Sequence, residues 1–558
     1  MRALFSVDEG EQMLERERFS PQMRAGEILD LLRNTQGVFL TNNDRDVSQS
    51  DFKCRIMPQT TMKVAPYRDA TGYFGLEVMG GATVHVDLLK RQINPFERLR
   101  LARKTMPNTL IQCLCRGRNL FGYRPYPDNV IEMTVRLFSK YVDIWRMYDF
   151  LNYVPNLVVA ANAVREAGKL LMPCICFSTG AGHTDDYYVK KVEEVLSLLG
   201  EDIILCIKNH SGLGSPARIG ELVRAIRNAF PDLQITYHGH NTDGNDLGRV
   251  VAAAQEGAKI LEVSDHGYGG FYSQPPALTV IQNLHEYGFK TPGFNIAPLL
   301  DASDLLKRER RFYDKFTSSF HGFDPTVKRH KLPGGALSMA LEQAEKAGLV
   351  ERFHEVFNEV IQVRKELGNI WVVTPGSQIL WSTALSNVLN GRYEKPSDDL
   401  KRLLLGRLGP FPFYKPQDWI FQKVLERGRT DGKSWEAILA DEGGLQEIAD
   451  EDMTARRHQL ESRLKRPPTD EELCLYLQFP RDALEFIKFE ERFGQTWLLP
   501  PDVWFHEGGF PDGSRIAFAD ETGKTHNIDL ISTRRTADSV QTSFLVDYHF
   551  QTYTTKKQ

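Results

Sequence analysis

Three short segments carry side chains that could act together: Asn42-Asn43-Asp44-Arg45-Asp46-Val47-Ser48-Gln49-Ser50, Cys206-Ile207-Lys208-Asn209-His210 and Tyr237-His238-Gly239-His240-Asn241. Side chains alternate along a strand, so His238 and His240 point to the same side. Two neutral imidazoles plus a carboxylate, here Asp46, make a ligand set for a divalent metal such as Zn, Mn or Co. An H-x-H pair alone is a weak signal and is more often structural, so the metal reading depends on the segments converging. Lys208 is unexpected beside a metal, because an ammonium repels the cation. Two readings stay open for it: a buried ion-pair partner, or an amine carbamylated by CO2 that serves as an anionic oxygen ligand.

The elements that must position these side chains recur from Gly37 to about Pro292. A short apolar run, a polar or Gly-containing turn and an amphipathic stretch follow one another eight times. The runs begin at Val38, Tyr73, Leu110, Val142, Met172, Ile203, Leu233 and Ile260. Strands alternating with helical patterns imply βαβ units and a parallel sheet, and eight units over some 250 residues match an α/β fold of the (β/α)8 TIM-barrel type, whose chemistry sits at the C-terminal strand ends. The three segments end the first, sixth and seventh runs, at that rim. A doubly wound open sheet is the alternative, but no G-x-G-x-x-G turn follows the first run. Beyond about Ala297 the pattern turns helical (Ser303 to Phe320, Ala336 to Leu367, Gln378 to Leu389), and strand-like pieces follow Trp504. The expected division is a barrel over 1–300, a helical extension over 301–465, and a helix plus small β unit over 466–558. The charged stretch from Asp441 to Thr469 reads as a solvated linker leading to a helix that starts at Thr469-Asp470-Glu471-Glu472.

Composition narrows the function classes. Lys plus Arg number 69 and Asp plus Glu 73, a net charge of −4, which leaves no general field for nucleic acid or acidic membranes. With 41% hydrophobic and 25% charged residues the chain can build large cores under an ordinary polar surface. Among the seven cysteines, Cys113/Cys115 and Cys174/Cys176 are spaced C-x-C inside apolar runs and read as reduced core thiols, which suits a reducing, cytoplasmic location. The start, Met1 to Glu9, reaches acidic residues too soon for a signal-peptide core, and no apolar run reaches the roughly 18 residues of a membrane span.

With these residues in place the chain resembles the carboxyltransferase subunits and domains of biotin-dependent enzymes: pyruvate carboxylase, the oxaloacetate decarboxylase alpha chain and the pyruvate-acting transcarboxylase subunit. The family opening Arg-Asp-Ala-His-Gln-Ser is matched by Arg45-Asp46-Val47-Ser48-Gln49-Ser50. Leu76-Glu77-Val78-Met79-Gly80-Gly81-Ala82-Thr83, Asn94-Pro95-Phe96-Glu97-Arg98-Leu99-Arg100, Met106-Pro107-Asn108-Thr109 and Arg116-Gly117-Arg118-Asn119-Leu120-Phe121-Gly122-Tyr123 follow in order. Asp149-Phe150-Leu151-Asn152, Ile207-Lys208, His238-Gly239-His240, Arg329-His330-Lys331-Leu332-Pro333-Gly334-Gly335 and Val373-Thr374-Pro375 complete the set. The tail resembles the segment that joins this domain to the biotin carrier in pyruvate carboxylase.

The resemblance implies a metal held by Asp46, carbamylated Lys208, His238 and His240. It implies that Gln49, Arg116, Tyr123 and Arg45 bind a small keto acid and that Thr374 shuttles a proton between biotin and the keto acid methyl, with Arg116 stabilising the enolate. The implied reaction moves CO2 between carboxybiotin and the enolate of an α-keto acid, pyruvate or oxaloacetate. No Ala-Met-Lys-Met biotinylation motif follows the β tail and no ATP-grasp segment precedes the barrel, so separate biotin carboxyl carrier protein and biotin carboxylase subunits are expected, together with a homo-oligomeric assembly.

Four positions depart from the family pattern: Ser48 replaces His, Asn209 and Asn241 each replace Asp, and Gln378 replaces a lysine of pyruvate carboxylase, a position that is also glutamine in the transcarboxylase subunit. Carboxylates behind ligand histidines orient them, so these changes raise the expectation of weakened metal binding and an altered acceptor. The loop Gly269-Gly270-Phe271-Tyr272-Ser273-Gln274-Pro275 keeps only the Ser-Gln-Pro end of the family's loop after strand eight. Two alternatives remain in view. One is an aldol- or Claisen-type metal-dependent lyase or synthase of the same barrel superfamily, which would lack the lysine ligand, the Arg116 to Tyr123 segment and the helical extension. The other is a catalytically lapsed subunit that binds the carrier without chemistry.

Overall fold

In a computed structural model, residues 19–317, 322–334, 351–493, scattered positions between 335 and 350, and the strands between 515 and 556 are described. The signal-peptide expectation at Met1 to Glu9 falls outside them, as do parts of the expected helices at 303–320 and 336–367.

Eight parallel strands close a barrel in sequence order: β1 (Phe39–Asn42), β2 (Gly75–Gly80), β3 (Leu110–Cys115), β4 (Ile144–Met147), β5 (Leu170–Cys176), β6 (Ile204–Asn209), β7 (Gln234–Gly239) and β8 (Ile260–Val263). All eight expected strands are present. Every residue of them is buried, as strands covered on one face by helices and filled on the other require. β1 pairs with β8 through Phe39↔Ile260 to Asn42↔Val263, which closes the ring.

Helices between the strands bury one stripe each. Tyr188, Val192, Val195 and Leu199 line the inner face of helix Asp185–Leu199, which Thr184 caps by accepting from the Tyr187 N–H. Ile219, Leu222, Val223 and Ile226 do the same for helix Pro216–Ala229. Each fully buried side chain of this kind contributes about 1.5–3 kcal/mol of transfer free energy. At the other end of the barrel, Ile28, Leu29 and Leu32 of helix Ala25–Asn34 belong to the same core cluster as Phe39, Ile204 and Ile260 at the starts of their strands. That helix therefore covers the N-terminal mouth, leaving chemistry to the opposite rim.

Over that rim lies the helical extension, including helices Phe353–Glu366, Gly376–Asn390 and Asp398–Leu404. Val356, Val360, Trp371 and Trp381 share a core cluster with Tyr148, Phe150 and Leu151 just past β4. Backbone and side-chain bonds strap the first part of the extension to the barrel loops: Asp324 N–H donates to Thr242 O at 2.7 Å, Ser211 Oγ to Lys331 O at 2.6 Å, and Lys331 Nζ to Thr179 Oγ1 at 2.6 Å.

The charged stretch before Thr469 is not a linker. Residues Met453–Leu464 form a helix whose Leu460 and Leu464 join the barrel-side core, while Arg456, Arg457 and Arg466 pair with Glu451, Asp470 and Glu472. Spacing Leu460 and Leu464 four apart is the helical signal that the surrounding charge obscured. Thr469 caps the next helix as expected, in a reciprocal box with Glu472. The tail is an antiparallel sheet of order β12-β11-β10-β9, built from β9 (Arg515–Ala519), β10 (Thr525–Arg535), β11 (Ser539–Val546) and β12 (His549–Lys556). All seven cysteines are buried and unbridged. Among the described residues no helix is long and apolar enough to cross a membrane.

Candidate active site

β1 runs directly into helix Asp44–Phe52, so the Arg-Asp segment occupies a first helical turn at the barrel rim. Helical spacing then pairs side chains four apart. Arg45 donates to Gln49 Oε1 at 2.7 Å, and Ser50 Oγ donates to Asp46 Oδ1 at 3.3 Å. On the far side of the barrel the register pairs Lys208 of β6 with His238 of β7. Their side chains meet inside, with Lys208 Nζ 3.3 Å from His238 Nε2.

The histidine pair converges on Asp46 as the alternation rule requires. His238 Nε2 and His240 Nε2 each lie 3.3 Å from Asp46 Oδ2. Among the described residues, Asp46, His238 and His240 are the cluster whose ligand atoms all fall within 4.8 Å of one another. The donor set is two imidazoles and a carboxylate, which fits a borderline divalent ion. Lys208 is 3% exposed and makes no salt bridge among the described residues; its Nζ lies 5.5 Å from the centroid of the Tyr148 ring. Among the described residues no carboxylate lies within salt-bridge distance of Lys208, so the ion-pair reading gains no support there.

Behind this cluster is a closed circuit of buried charge that the sequence does not reveal. Arg45 Nε donates to Glu77 Oε1 at 2.7 Å, and Glu77 Oε2 lies 2.5 Å from Arg146 NH2. Arg146 NH1 pairs with Glu262, Glu262 accepts from His238 Nδ1, and Arg45 NH1 lies 3.4 Å from Asp46 Oδ1. None of these six residues is more than 3% exposed. Arg146 NH1 also lies 2.8 Å from His238 Nδ1, but the closer contact of that nitrogen is to the Glu262 carboxylate, which can only accept, so the imidazole proton is assigned to Nδ1 and Nε2 is left toward Asp46. Burial, with Lys208 and Arg146 adding to it, pushes His238 down to about 4, so the ring is neutral at physiological pH. Burial would raise the Glu262 carboxyl, but the Arg146 charge holds it well below the usual range. For Asp46 burial is likewise outweighed, first by the Arg45 charge and then by His240. The missed residues were visible as Glu77, Arg146 and Glu262 inside otherwise apolar runs, since such side chains are almost never fully buried unless paired.

The departures from the family pattern fall elsewhere than expected. His240 Nδ1 donates to the carbonyl of Tyr272 at 2.7 Å, and His238 has Glu262, so both ligand rings have orienting partners. Asn209 instead ties its own loop, donating to Leu213 O at 2.8 Å and to Tyr237 OH at 3.0 Å. Asn241 bridges Gly270 O and the Asp246 N–H, and Ser48 Oγ accepts from the Ile56 N–H at 3.3 Å. Neither asparagine makes a hydrogen bond to a ligand ring.

A cavity of about 310 Å³ opens over this cluster. Asp46, Lys208 and His240 form its floor, Arg45, Gln49 and Arg116 its barrel wall, and Thr374, Gln378 and Trp381 its wall from the extension. Arg116 follows β3 and donates through NH1 to Phe121 O at 2.9 Å and Gly122 O at 2.8 Å. Its guanidinium stands 5.0 Å from the Tyr123 ring centroid, so Tyr123 stacks behind it. Thr374 precedes helix Gly376–Asn390, and its carbonyl accepts from Tyr148 OH at 2.9 Å, which joins the extension to β4. Of the sequence candidates, Asp46, Lys208, His240, Arg45, Gln49, Arg116 and Thr374 share the cavity, while His238 and Tyr123 lie one layer back.

A barrel with an Asp/His/His cluster at its C-terminal rim defines a class of metal-type (β/α)8 enzymes, and the comparisons narrow it. The family model described as HMGL-like matches residues 96–306, and the one described as Conserved carboxylase domain matches residues 327–529. A pyruvate carboxylase subunit of Methanocaldococcus jannaschii is 32% identical over 70% of this chain and 68% of its own length. Pyruvate carboxylase of Bacillus subtilis is 29% identical over 90% of this chain, which spans 44% of that protein. The carboxyl transferase domain of Rhizobium etli pyruvate carboxylase, solved with 3-bromopyruvate, superposes with a TM-score of 0.86 at 26% identity, covering 97% of this chain and 92% of that one. The chain belongs to the pyruvate carboxylase-type carboxyltransferase family. A barrel alone would have left the aldol alternative standing; the match of the extension separates the two.

Proposed function

We propose that this chain is a biotin-dependent carboxyltransferase, moving a carboxyl group between carboxybiotin on a separate carrier protein and the enolate of a small α-keto acid, pyruvate or oxaloacetate. The observation that carries the reading is the shared cavity, where the Asp46/His240 floor faces Arg116 and Gln49 on one side and Thr374 on the other. A divalent ion held by Asp46, His238, His240 and Lys208 would supply Lewis-acid stabilisation of an enolate oxygen.

Lys208 takes part as a carbamate. Its amine, once deprotonated, forms an N–C bond to CO2 and releases a proton to solvent, which turns a cation-repelling group into an anionic oxygen ligand. The buried amine, with no salt bridge among the described residues, supports this over an ion pair.

Arg116 binds the keto acid carboxylate or enolate oxygen. Two carbonyls and the Tyr123 ring fix its guanidinium before substrate arrives, so little reorganisation is needed. Gln49, held by Arg45, offers an amide beside it. Thr374 passes protons: its hydroxyl takes the proton leaving the keto acid methyl and gives its own to the biotin ureido nitrogen once CO2 has left. The enolate carbon then forms the new C–C bond to CO2. A neutral hydroxyl is a weak acid and base, but a relay between two bound partners depends on position. Burial of most of the floor keeps water from the enolate.

The intact orienting partners of His238 and His240 speak against a lapsed subunit. Separate biotin carboxylase and carrier subunits and a cytoplasmic setting complete the proposal, with the division at 300 and 465 separating barrel, extension and tail. The test is metal analysis of the purified protein together with biotin-dependent carboxyl transfer assayed across keto acids and acyl-CoA thioesters. Metal with transfer to a keto acid supports the reading; no bound metal, or no transfer to any acceptor, overturns it.

A further inference from the structure

The loop after β8 departs from the family pattern, yet it touches two of the residues proposed to hold the ion. Tyr272 O accepts from His240 Nδ1 at 2.7 Å, and Gln274 Nε2 donates to Asp46 Oδ2 at 3.3 Å. One carboxylate grips the loop on either side of that carbonyl. Asp51 Oδ1 accepts the Tyr272 N–H at 2.9 Å, and Asp51 Oδ2 accepts from Ser273 Oγ at 2.6 Å. Asp51, Tyr272 and Ser273 are 5%, 2% and 0% exposed. On the other side Gly334 lies against the Tyr272 ring so closely that a Cβ there would stand 2.2 Å from Cγ. The loop is thus held between a buried carboxylate and the extension, and the group held still is the acceptor that sets the His240 ring.

We propose that Asp51 is a positioning residue of the metal centre, acting through Tyr272 and Ser273 to fix the carbonyl that orients His240. Burying a carboxylate is costly unless its hydrogen bonds are made, and both bonds here end on the residues flanking one carbonyl. With that carbonyl free to move, the imidazole can rotate and the Nε2 lone pair loses its aim at the ion. Asp51 and the β8 loop thereby serve this chain as the second orienting device, alongside Glu262 behind His238. The proposal rests on the metal reading above.

The test uses the full chain and Co2+ as the probe, with affinity from chelator competition and the visible absorption of the bound ion as a report on ligand geometry. Asp51→Asn should bind Co2+ about tenfold or more weakly, with a shifted spectrum, since loss of an outer partner costs about 10–100-fold. Ser273→Ala removes one of the two donors to Asp51 and should lose affinity in the same direction by a smaller factor. A folded Asp51→Asn with wild-type affinity and spectrum, whatever its melting temperature, makes Asp51 a loop staple and overturns the proposal. If Asp51→Asn does not fold, unchanged affinity in Ser273→Ala overturns it instead. Wild-type protein that binds no Co2+ overturns the metal reading itself and this proposal with it.

Discussion

Glu262 accepts the Nδ1 proton of His238, and the same carboxylate oxygen carries the ion pair to Arg146. The ring is therefore fixed in tautomer and orientation by a residue on the neighbouring strand. Glu262→Gln should weaken divalent-ion binding about 10–100-fold. It should also destabilise the fold by about 3–5 kcal/mol, because Arg146 is left half-paired with no exposure to water. Chelator competition and urea unfolding of the same preparation separate the two effects. Unchanged ion affinity would mean that His238 needs no partner.

Much of this arrangement is legible in the sequence. Eight apolar runs give the strand count, and strand-end placement alone brings Asp46, Lys208, His238 and His240 to one rim. Glu77, Arg146 and Glu262 stand out as charges inside apolar runs, but which of them pair is set only by the closed tertiary ring. Asn209 and Asn241 mislead for a related reason. Their sequence neighbours suggest that they support the ligands, whereas the orienting groups come from β8 and its loop, more than 20 residues away. The helix at Met453–Leu464 is hidden by its arginines, since two leucines carry its entire buried face.

Lys208→Ala should abolish divalent-ion binding and carboxyl transfer together, because the variant can form no carbamate. The wild-type protein should lose ion occupancy on dialysis into CO2-free buffer and regain it with bicarbonate, as read by elemental analysis. A wild-type protein that keeps full occupancy without CO2 would refute the carbamate.

Thr374→Ala should leave ion binding untouched and lower carboxyl transfer by about 10²–10⁴-fold, the range for loss of a positioned proton-transfer group. Thr374→Ser retains the hydroxyl and should retain most of the rate. Single-turnover transfer from carboxybiotin measures the step directly, and full transfer by the alanine variant would remove Thr374 from the mechanism.

Asp149 gives a pH signature outside the site. Burial pushes its carboxyl up to about 6, although Asn156 Nδ2 and the N–H groups of Tyr153 and Leu151 donate to it. The folded group binds a proton up to that pH, while the unfolded chain releases it near its ordinary value of about 4. Folding is then coupled to proton uptake between the two, so this group's contribution falls as pH rises from about 4 to 6 and is flat above. The upper bound on the change is ~3 kcal/mol. Asp149→Asn should lack this component, so its stability relative to wild type should improve from pH 4.5 to pH 7 in urea titrations.

Gly81 separates function from stability. It opens helix Gly81–Val86 against Arg116, the arginine proposed to hold the keto acid, and a Cβ there would come within 2.6 Å of Arg116 Cζ and NH1 and 2.7 Å of NH2. The clash is with the far end of a flexible side chain, not with backbone, so the fold can relieve it by moving the guanidinium. That movement is what the reaction cannot absorb: a displacement of about 1 Å in a substrate-positioning group can cost about 10²-fold. Gly81→Ala should therefore keep melting temperature and ion content close to wild type while kcat/KM for the keto acid falls by about two orders of magnitude. An activity loss matched by a comparable loss of stability would place the defect in the fold instead, and unchanged kinetics would show that Arg116 does not hold the acceptor.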